Sequence, residues 1–277
     1  MPVVTTALAL IVFVAGILAG TLGALLGLGG GVFFVPLLNL ALGFPIRAAA
    51  AISLATVIAT SSSVSAGRTG QQLINLRFGM VLEVATVAGG LLGGLTAHYF
   101  AESTLQRLFG SVAILVAGVM FTRLDRRNVI LDPDAPIGRL GGRFYEAESG
   151  GEVAYRVKRL PIALGASFIA GNVSSLLGLG GGIIKVPVLN AWCGVPLRAA
   201  AATSAFMIGV TATAGAIIYA GRGELSALAA APAVLGVQLG SWLGLRLVHQ
   251  APARWLKLLM ALILLMVSVL MFVQAAR

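Results

Sequence analysis

Apolar and polar positions alternate in long blocks along this chain. Apolar runs fall at about 5–28, 32–43, 48–66, 79–98 and 105–122, then at about 160–180, 183–192, 199–220, 226–248 and 255–275. Each set of five reads long, short, long, long, long. A helix rises about 1.5 Å per residue, so the long runs suit a hydrocarbon core of about 30 Å and the short ones do not cross it alone. The alternating segments of about ten residues that mark a membrane β-barrel are missing. The pattern predicts an all-α polytopic membrane protein. Two transmembrane repeats, 1–122 and 160–277, flank a polar linker at 123–159. Each repeat is expected to hold a glycine-interrupted helix paired with a short helix, followed by three transmembrane helices. The first run follows Met1 and Pro2 with no basic stretch and no small-residue cleavage site, so it reads as a retained span rather than a signal peptide.

The two sets are related in sequence. LLGLGGG stands at 25–31 and again at 176–182, and an ungapped pairing of 25–51 with 176–202 gives 18 identities in 27 positions. Among them are Val35/Val186, Pro36/Pro187, Asn39/Asn190, Gly43/Gly194, Pro45/Pro196, Arg47/Arg198 and the alanines 48–51/199–202. Gly89/Gly236 and Gly93/Gly240 extend the match after a four-residue insertion in the first set.

Composition sharpens the class. The chain is 58% hydrophobic and 10% charged, against about 25% charged in soluble domains. The net charge of +10 invites a nucleic-acid reading. The basic residues, however, lie in loops between apolar runs, without interleaved aromatics. They read as topology signals that hold loops on the cytoplasmic side. The linker carries eight Lys/Arg and six Asp/Glu and is expected to be cytoplasmic. With the linker inside and Lys185 set aside, an odd number of crossings per repeat places 14 Lys/Arg inside and 4 outside. An even number gives 12 and 6. The bias favours inverted repeats, a recurrent plan of secondary transporters. The single cysteine, Cys193, excludes an intrachain disulfide and CxxC chemistry.

The repeated glycines suggest chemistry. Gly27, Gly29, Gly30 and Gly31, like Gly178, Gly180, Gly181 and Gly182, each cost a helix about 1 kcal/mol relative to alanine. Such a cluster interrupts the helix, and broken backbone is tolerated at membrane depth only inside protein or along a watery cavity. The two breaks are therefore expected to face each other near the midplane. Backbone N–H groups there would suit an anion. Close helix packing is the competing use of glycine; it suits Gly89, Gly90, Gly93, Gly94, Gly236, Gly240 and Gly244, which could serve a homodimer or internal packing. Neither a Walker loop nor a dinucleotide fingerprint is met.

Few charged residues interrupt the apolar runs. Arg47 and Arg198 begin equivalent helices and read either as ligands and gates for a multi-oxygen anion or as membrane-edge anchors. Lys185 stands where the first repeat has Phe34, and Glu83 is the carboxylate well inside a run. Such groups are functional by default in a membrane: Lys185 for anion binding, or for pairing with a carboxylate, and Glu83 for proton coupling. Asn39 and Asn190 could line a cavity or tie helices together. His98 and His249 form no metal set.

At these residues the chain resembles the TauE/SafE sulfite exporter family, also called the toluene-sulfonate uptake permease family. The likeness rests on GLGGG, a short Val-Pro run, Gly-x-Pro-x-Arg-Ala and an Ala/Ser/Thr-rich helix, all in duplicate over about 5–122 and 160–275. It implies a prokaryotic inner-membrane secondary transporter that exports sulfite or a related small organosulfur anion and is driven by protons, with no cofactor and no nucleic acid. The glycine motif carries over onto Gly27–Pro36 and Gly178–Pro187. The substrate-binding set is then Gly29, Gly30, Gly31, Gly180, Gly181, Gly182, Asn39, Asn190, Arg47, Arg198 and Lys185, with Glu83 for the proton. Uptake of sulfate, sulfonate or sulfoacetate, or an anion channel, is the alternative. An intramembrane enzyme is disfavoured, since no GxSG nucleophile and no second cysteine occur.

Overall fold

The computed structural model describes residues 5–26, 29–68, 73–122, 128–132, 136–146, 150–247 and 253–276. Among them are ten α-helices: α1 (Thr6–Leu26), α2 (Gly31–Pro36), α3 (Ile46–Arg68), α4 (Leu76–Thr96), α5 (Glu102–Thr122), α6 (Leu160–Leu177), α7 (Gly182–Ala191), α8 (Leu197–Gly221), α9 (Ala227–Leu247) and α10 (Ala253–Ala276). Two strands, β1 (Gly142–Glu146) and β2 (Gly151–Tyr155), pair antiparallel. Among the described residues six helices are long and apolar enough to cross a membrane, namely α1, α3, α4, α6, α8 and α9. Their outer faces carry large apolar side chains such as Leu18, Val84, Ile217 and Leu228. Water would penalise that surface and lipid does not. The chain is an all-α polytopic membrane protein.

Small residues decide the packing. The backbone at Gly89 abuts Phe168 and that at Gly93 abuts Asn172, so α4 and α6 lie side by side in the same direction. Phe13 meets Gly236, Ile17 meets Gly240 and Thr21 meets Gly244, which sets α1 along α9 in the same way. A Cβ at these glycines would run into neighbouring backbone. The Thr21 hydroxyl adds a hydrogen bond to the Gly240 carbonyl at 3.0 Å. These glycines therefore serve packing inside one chain, the second of the two uses read from sequence.

Two further pairs, α3 with α8 and α5 with α10, run antiparallel. In α3 and α8, Ser61 meets Gly209 and Leu54 meets Gly215. In α5 and α10, Ser268 donates to the Gly110 carbonyl at 2.9 Å, and Arg107 reaches the Ala275 carbonyl at 3.3 Å. These two pairs of equivalent helices, one from each repeat, thus contact each other head to tail.

The linker holds more structure than its polarity suggests. Phe144, Val153 and Tyr155 of the hairpin pack with Phe78, Val186, Leu189, Cys193 and Val195. Asn75, at the start of α4, donates to the Leu140 and Gly141 carbonyls at 2.9 and 3.2 Å and to the Tyr155 hydroxyl at 3.0 Å. Asn128 donates to the Asn190 carbonyl at 2.7 Å. Strands of five residues, with two or three inward positions each, leave too little periodicity to be read from sequence.

Candidate functional site

Both helices of the GLGGG motif break as the glycines require. Gly29 and Gly180 have φ of +77° and +79°, a left-handed conformation that side chains resist. Gly178 and Gly181 share it in the second break; Gly27 lies outside the described residues. The short helices then start at Gly31 and Gly182. Beyond Pro36 the first widens into a π-turn over 37–41, where the Leu42 amide bonds to the Leu37 carbonyl at 3.3 Å. Proline removes one amide from the helical ladder, and the turn adjusts around the loss. The second short helix stays α-helical through Pro187.

The two breaks meet. A Cβ on Gly29 would stand 3.7 Å from Val57 and 4.0 Å from Ile208; one on Gly180 would stand 3.1 and 3.2 Å from the same two side chains. Val57 and Ile208 are themselves equivalent positions, 151 residues apart like the glycines. The Ser53 hydroxyl donates to the Gly178 carbonyl at 2.7 Å, so a helix of the first repeat holds the break of the second. A small gap adjoins this junction, lined by Gly23, Gly29, Thr60, Ser61, Ala205 and Ile208.

Asn39 and Asn190 do the same work in each repeat. Asn39 donates to the Phe44 carbonyl at 2.8 Å and Asn190 to the Val195 carbonyl at 2.9 Å. Each amide closes the turn that leads from the short helix into the next long one, around Gly43 and Gly194 with φ of +66° and +72°. The Asn39 side-chain oxygen also accepts from Gln106 at 3.1 Å. Tying elements together is the role these contacts describe.

The two arginines sit at opposite ends of the bundle. Arg47 reaches the carbonyls of Ala97, His98 and Phe100 at 3.4, 3.2 and 2.6 Å. It caps the carboxyl end of α4, where the last carbonyls have no helical partner and the dipole favours a cation. Arg222 reaches the Gly94 and Leu95 carbonyls of the same end at 3.4 and 3.3 Å. Arg198 is exposed and begins α8 at the other end, where the Asn75 amide meets the Thr203 hydroxyl at 3.0 Å.

Lys185 is 1% exposed on α7, and its ammonium has no hydrogen-bond partner. Glu83, half-buried on α4, is its electrostatic counterpart. One carboxylate oxygen of Glu83 accepts from the Thr211 hydroxyl at 2.8 Å, while the other is buried and unpartnered. Two residues that sequence reasoning passed over lie beside this pair. The unpartnered hydroxyls of Ser174 and Ser175 are fully buried on α6. Ser174 and the Lys185 stem both abut Gly181, and Ser175 and Thr211 both abut Gly90. A comparison of the repeats could have flagged them, since Gly23 and Ala24 occupy the equivalent places. No group of three or more His, Cys, Asp or Glu able to hold a metal occurs among the described residues.

Ten helices among the described residues, two of them cut short by facing backbone breaks, with a buried lysine and a half-buried carboxylate nearby, define a multi-pass membrane protein built around an interrupted core. The chain belongs to the TauE/SafE family: the family model described as "Sulfite exporter TauE/SafE" matches residues 12–271. It is similar to the probable membrane transporter protein YunE of Bacillus subtilis, 24% identical over 93% of this chain and 95% of that protein. It is also similar to the probable membrane transporter protein MJ0441 of Methanocaldococcus jannaschii, 26% identical over 76% of this chain and 71% of the other. The probable membrane transporter protein MamO of Magnetospirillum gryphiswaldense is 26% identical over 86% of this chain, which spans 41% of that protein. No solved structure matches. The chain is a membrane transporter of this family.

Proposed function

We propose that this protein is a secondary transporter that exports sulfite, or a related small organosulfur anion, across a prokaryotic inner membrane. The observation that carries the reading is the junction of the two breaks, where Gly29 and Gly180 rest on the same pair, Val57 and Ile208. Interrupted helices that meet inside a bundle supply backbone polar groups where continuous helices supply none. The halves 1–122 and 160–277 act as inverted repeats, a reading supported by the antiparallel contacts of α3 with α8 and of α5 with α10. Rocking of one half against the other would expose the junction to each side in turn. The linker 123–159 and the exposed Arg198 then lie on the cytoplasmic side, and Arg47 on the other.

The testing experiment is sulfite efflux from proteoliposomes. Saturable efflux by the wild type, at least tenfold reduced by bulky Gly29→Val or Gly180→Val variants that still fold, supports the reading. Wild-type protein that is folded, reconstituted and inert toward sulfite overturns the substrate assignment. Flux that never saturates favours a channel.

A further inference from the structure

The repeats are related in sequence, but the buried charges are not. Lys185, Glu83, Ser174 and Ser175 cluster where α4, α6, α7 and α8 converge. The positions equivalent to Lys185, Ser174 and Ser175 in the first repeat are Phe34, Gly23 and Ala24, and the glycine register of α4 and α9 sets Ala230 against Glu83. Phe34 is fully buried there. One half of the molecule is thus polar where its relative is greasy.

Four polar groups at this place have no protein partner: the Lys185 ammonium, one Glu83 oxygen and the hydroxyls of Ser174 and Ser175. A buried polar group without a partner is costly, and a buried charge more so. Ser174 shares Gly181 with the Lys185 stem, and Ser175, the next residue, adjoins Thr211 at Gly90; an ammonium with hydroxyls in its neighbourhood matches an oxyanion in both charge and hydrogen-bonding capacity. We propose that Lys185, Ser174 and Ser175 form one off-axis oxyanion subsite in the second half, in which Glu83 is the internal counter-anion that the substrate replaces. The proposal rests on the transporter reading above.

Charge balance sets the coupling. With the site free, Glu83 and Lys185 neutralise each other across the low-dielectric interior. A monoanion such as hydrogensulfite that binds Lys185 would leave two negative charges for one positive. Protonation of Glu83 restores neutrality, because the carboxyl then donates or accepts through Thr211 without charge. One proton therefore travels with each monoanion, in the same direction. No other cation competes for Glu83 from the helices packed on α4. Helix α6 has no ionisable side chain, α7 has Lys185 alone, and α8 has Arg198 in its first turn and Tyr219 at its far end. Export through this site runs down the anion's own gradient and is slowed by an acid exterior, so protons are coupled to it without driving it, unlike the proton-driven export that the resemblance implies.

The test uses the full chain in proteoliposomes, with sulfite as the probe. Wild-type efflux should accelerate when the lumen is more acid than the bath and slow when the gradient is reversed. In Glu83→Gln, whatever sulfite efflux remains should lose its response to the gradient. Lys185→Met should weaken sulfite binding about tenfold or more without lowering the melting temperature, since the equivalent residue is already apolar. Glu83→Gln efflux that still follows the pH gradient, or Lys185→Met protein with wild-type sulfite affinity, overturns the proposal. If the wild type carries no sulfite, the substrate assignment fails first. Melting shifts with sulfate, thiosulfate and a short sulfonate then test the subsite alone. A shift lost in Lys185→Met supports it; an equal shift in both proteins, or none in either, overturns it.

Discussion

Ser53 donates its hydroxyl hydrogen to the carbonyl oxygen of Gly178, 125 residues away, at 2.7 Å. The bond joins α3 of the first repeat to the helix break of the second. It satisfies a carbonyl in broken backbone, where lipid offers no partner. Ser53→Ala should therefore destabilise the protein by about 1–3 kcal/mol, the cost of a buried unsatisfied group. Denaturation in detergent measures it, and an unchanged midpoint would refute the role.

The two breaks should tolerate a methyl group unequally. Gly29 and Gly180 both have left-handed backbone, which costs an L-residue about 1–2 kcal/mol. Only at Gly180 does the new Cβ also press on Val57 and Ile208, at 3.1 and 3.2 Å. Gly180→Ala should lose more stability and more transport than Gly29→Ala. Adding Val57→Ala should recover part of the Gly180→Ala deficit, because it removes the crowding and leaves the backbone strain. Equal defects in both single variants would show that crowding contributes nothing.

Asn39 and Gln106 are joined by a 3.1 Å side-chain bond inside the first repeat. A double-mutant cycle to alanine at the two positions should give a coupling energy of about 0.5–2 kcal/mol. Asn190→Ala should destabilise through loss of its bond to Val195. A cycle that sums to zero would show that the Gln106 bond contributes nothing, leaving Asn39 its bond to the Phe44 carbonyl.

Arg47 spans three carbonyls at the end of α4. Lysine offers a point charge without the fork, so Arg47→Lys should lower the melting temperature while KM for the transported anion stays unchanged. A raised KM with unaltered melting would make Arg47 a ligand instead.

Tyr155 ties the linker hairpin to Asn75. Burial raises its hydroxyl above the ordinary tyrosine value, and the Asn75 bond offsets this in part. The folded state therefore favours the neutral phenol. That stability is complete below the unfolded tyrosine pKa, near 10, and is lost as pH rises through the folded value. Proteolysis of the linker should accelerate in alkaline buffer above this range. Tyr155→Phe should flatten that dependence; an identical alkaline profile in the variant would place the titration elsewhere.

The sequence determined the class, the elements and the places where helices break. Apolar runs of spanning length need lipid, and glycine clusters cannot hold a helix; both facts are local. The duplicated phrase also showed which residues share a role, as Asn39 and Asn190 do. Which role they share was decided by tertiary structure. An asparagine amide or an arginine fork binds any nearby acceptor, and only the fold placed Phe44, Val195 and the α4 carbonyls within reach. The glycine stripes served packing within the chain because α1 meets α9 and α4 meets α6, pairings between repeats that no single segment encodes. Ser174 and Ser175 are ordinary helix residues in the sequence; they become part of a polar cluster because α6 brings them beside Lys185 and Thr211. The hairpin escaped notice because strands this short gain their inward faces from the helix ends they cover.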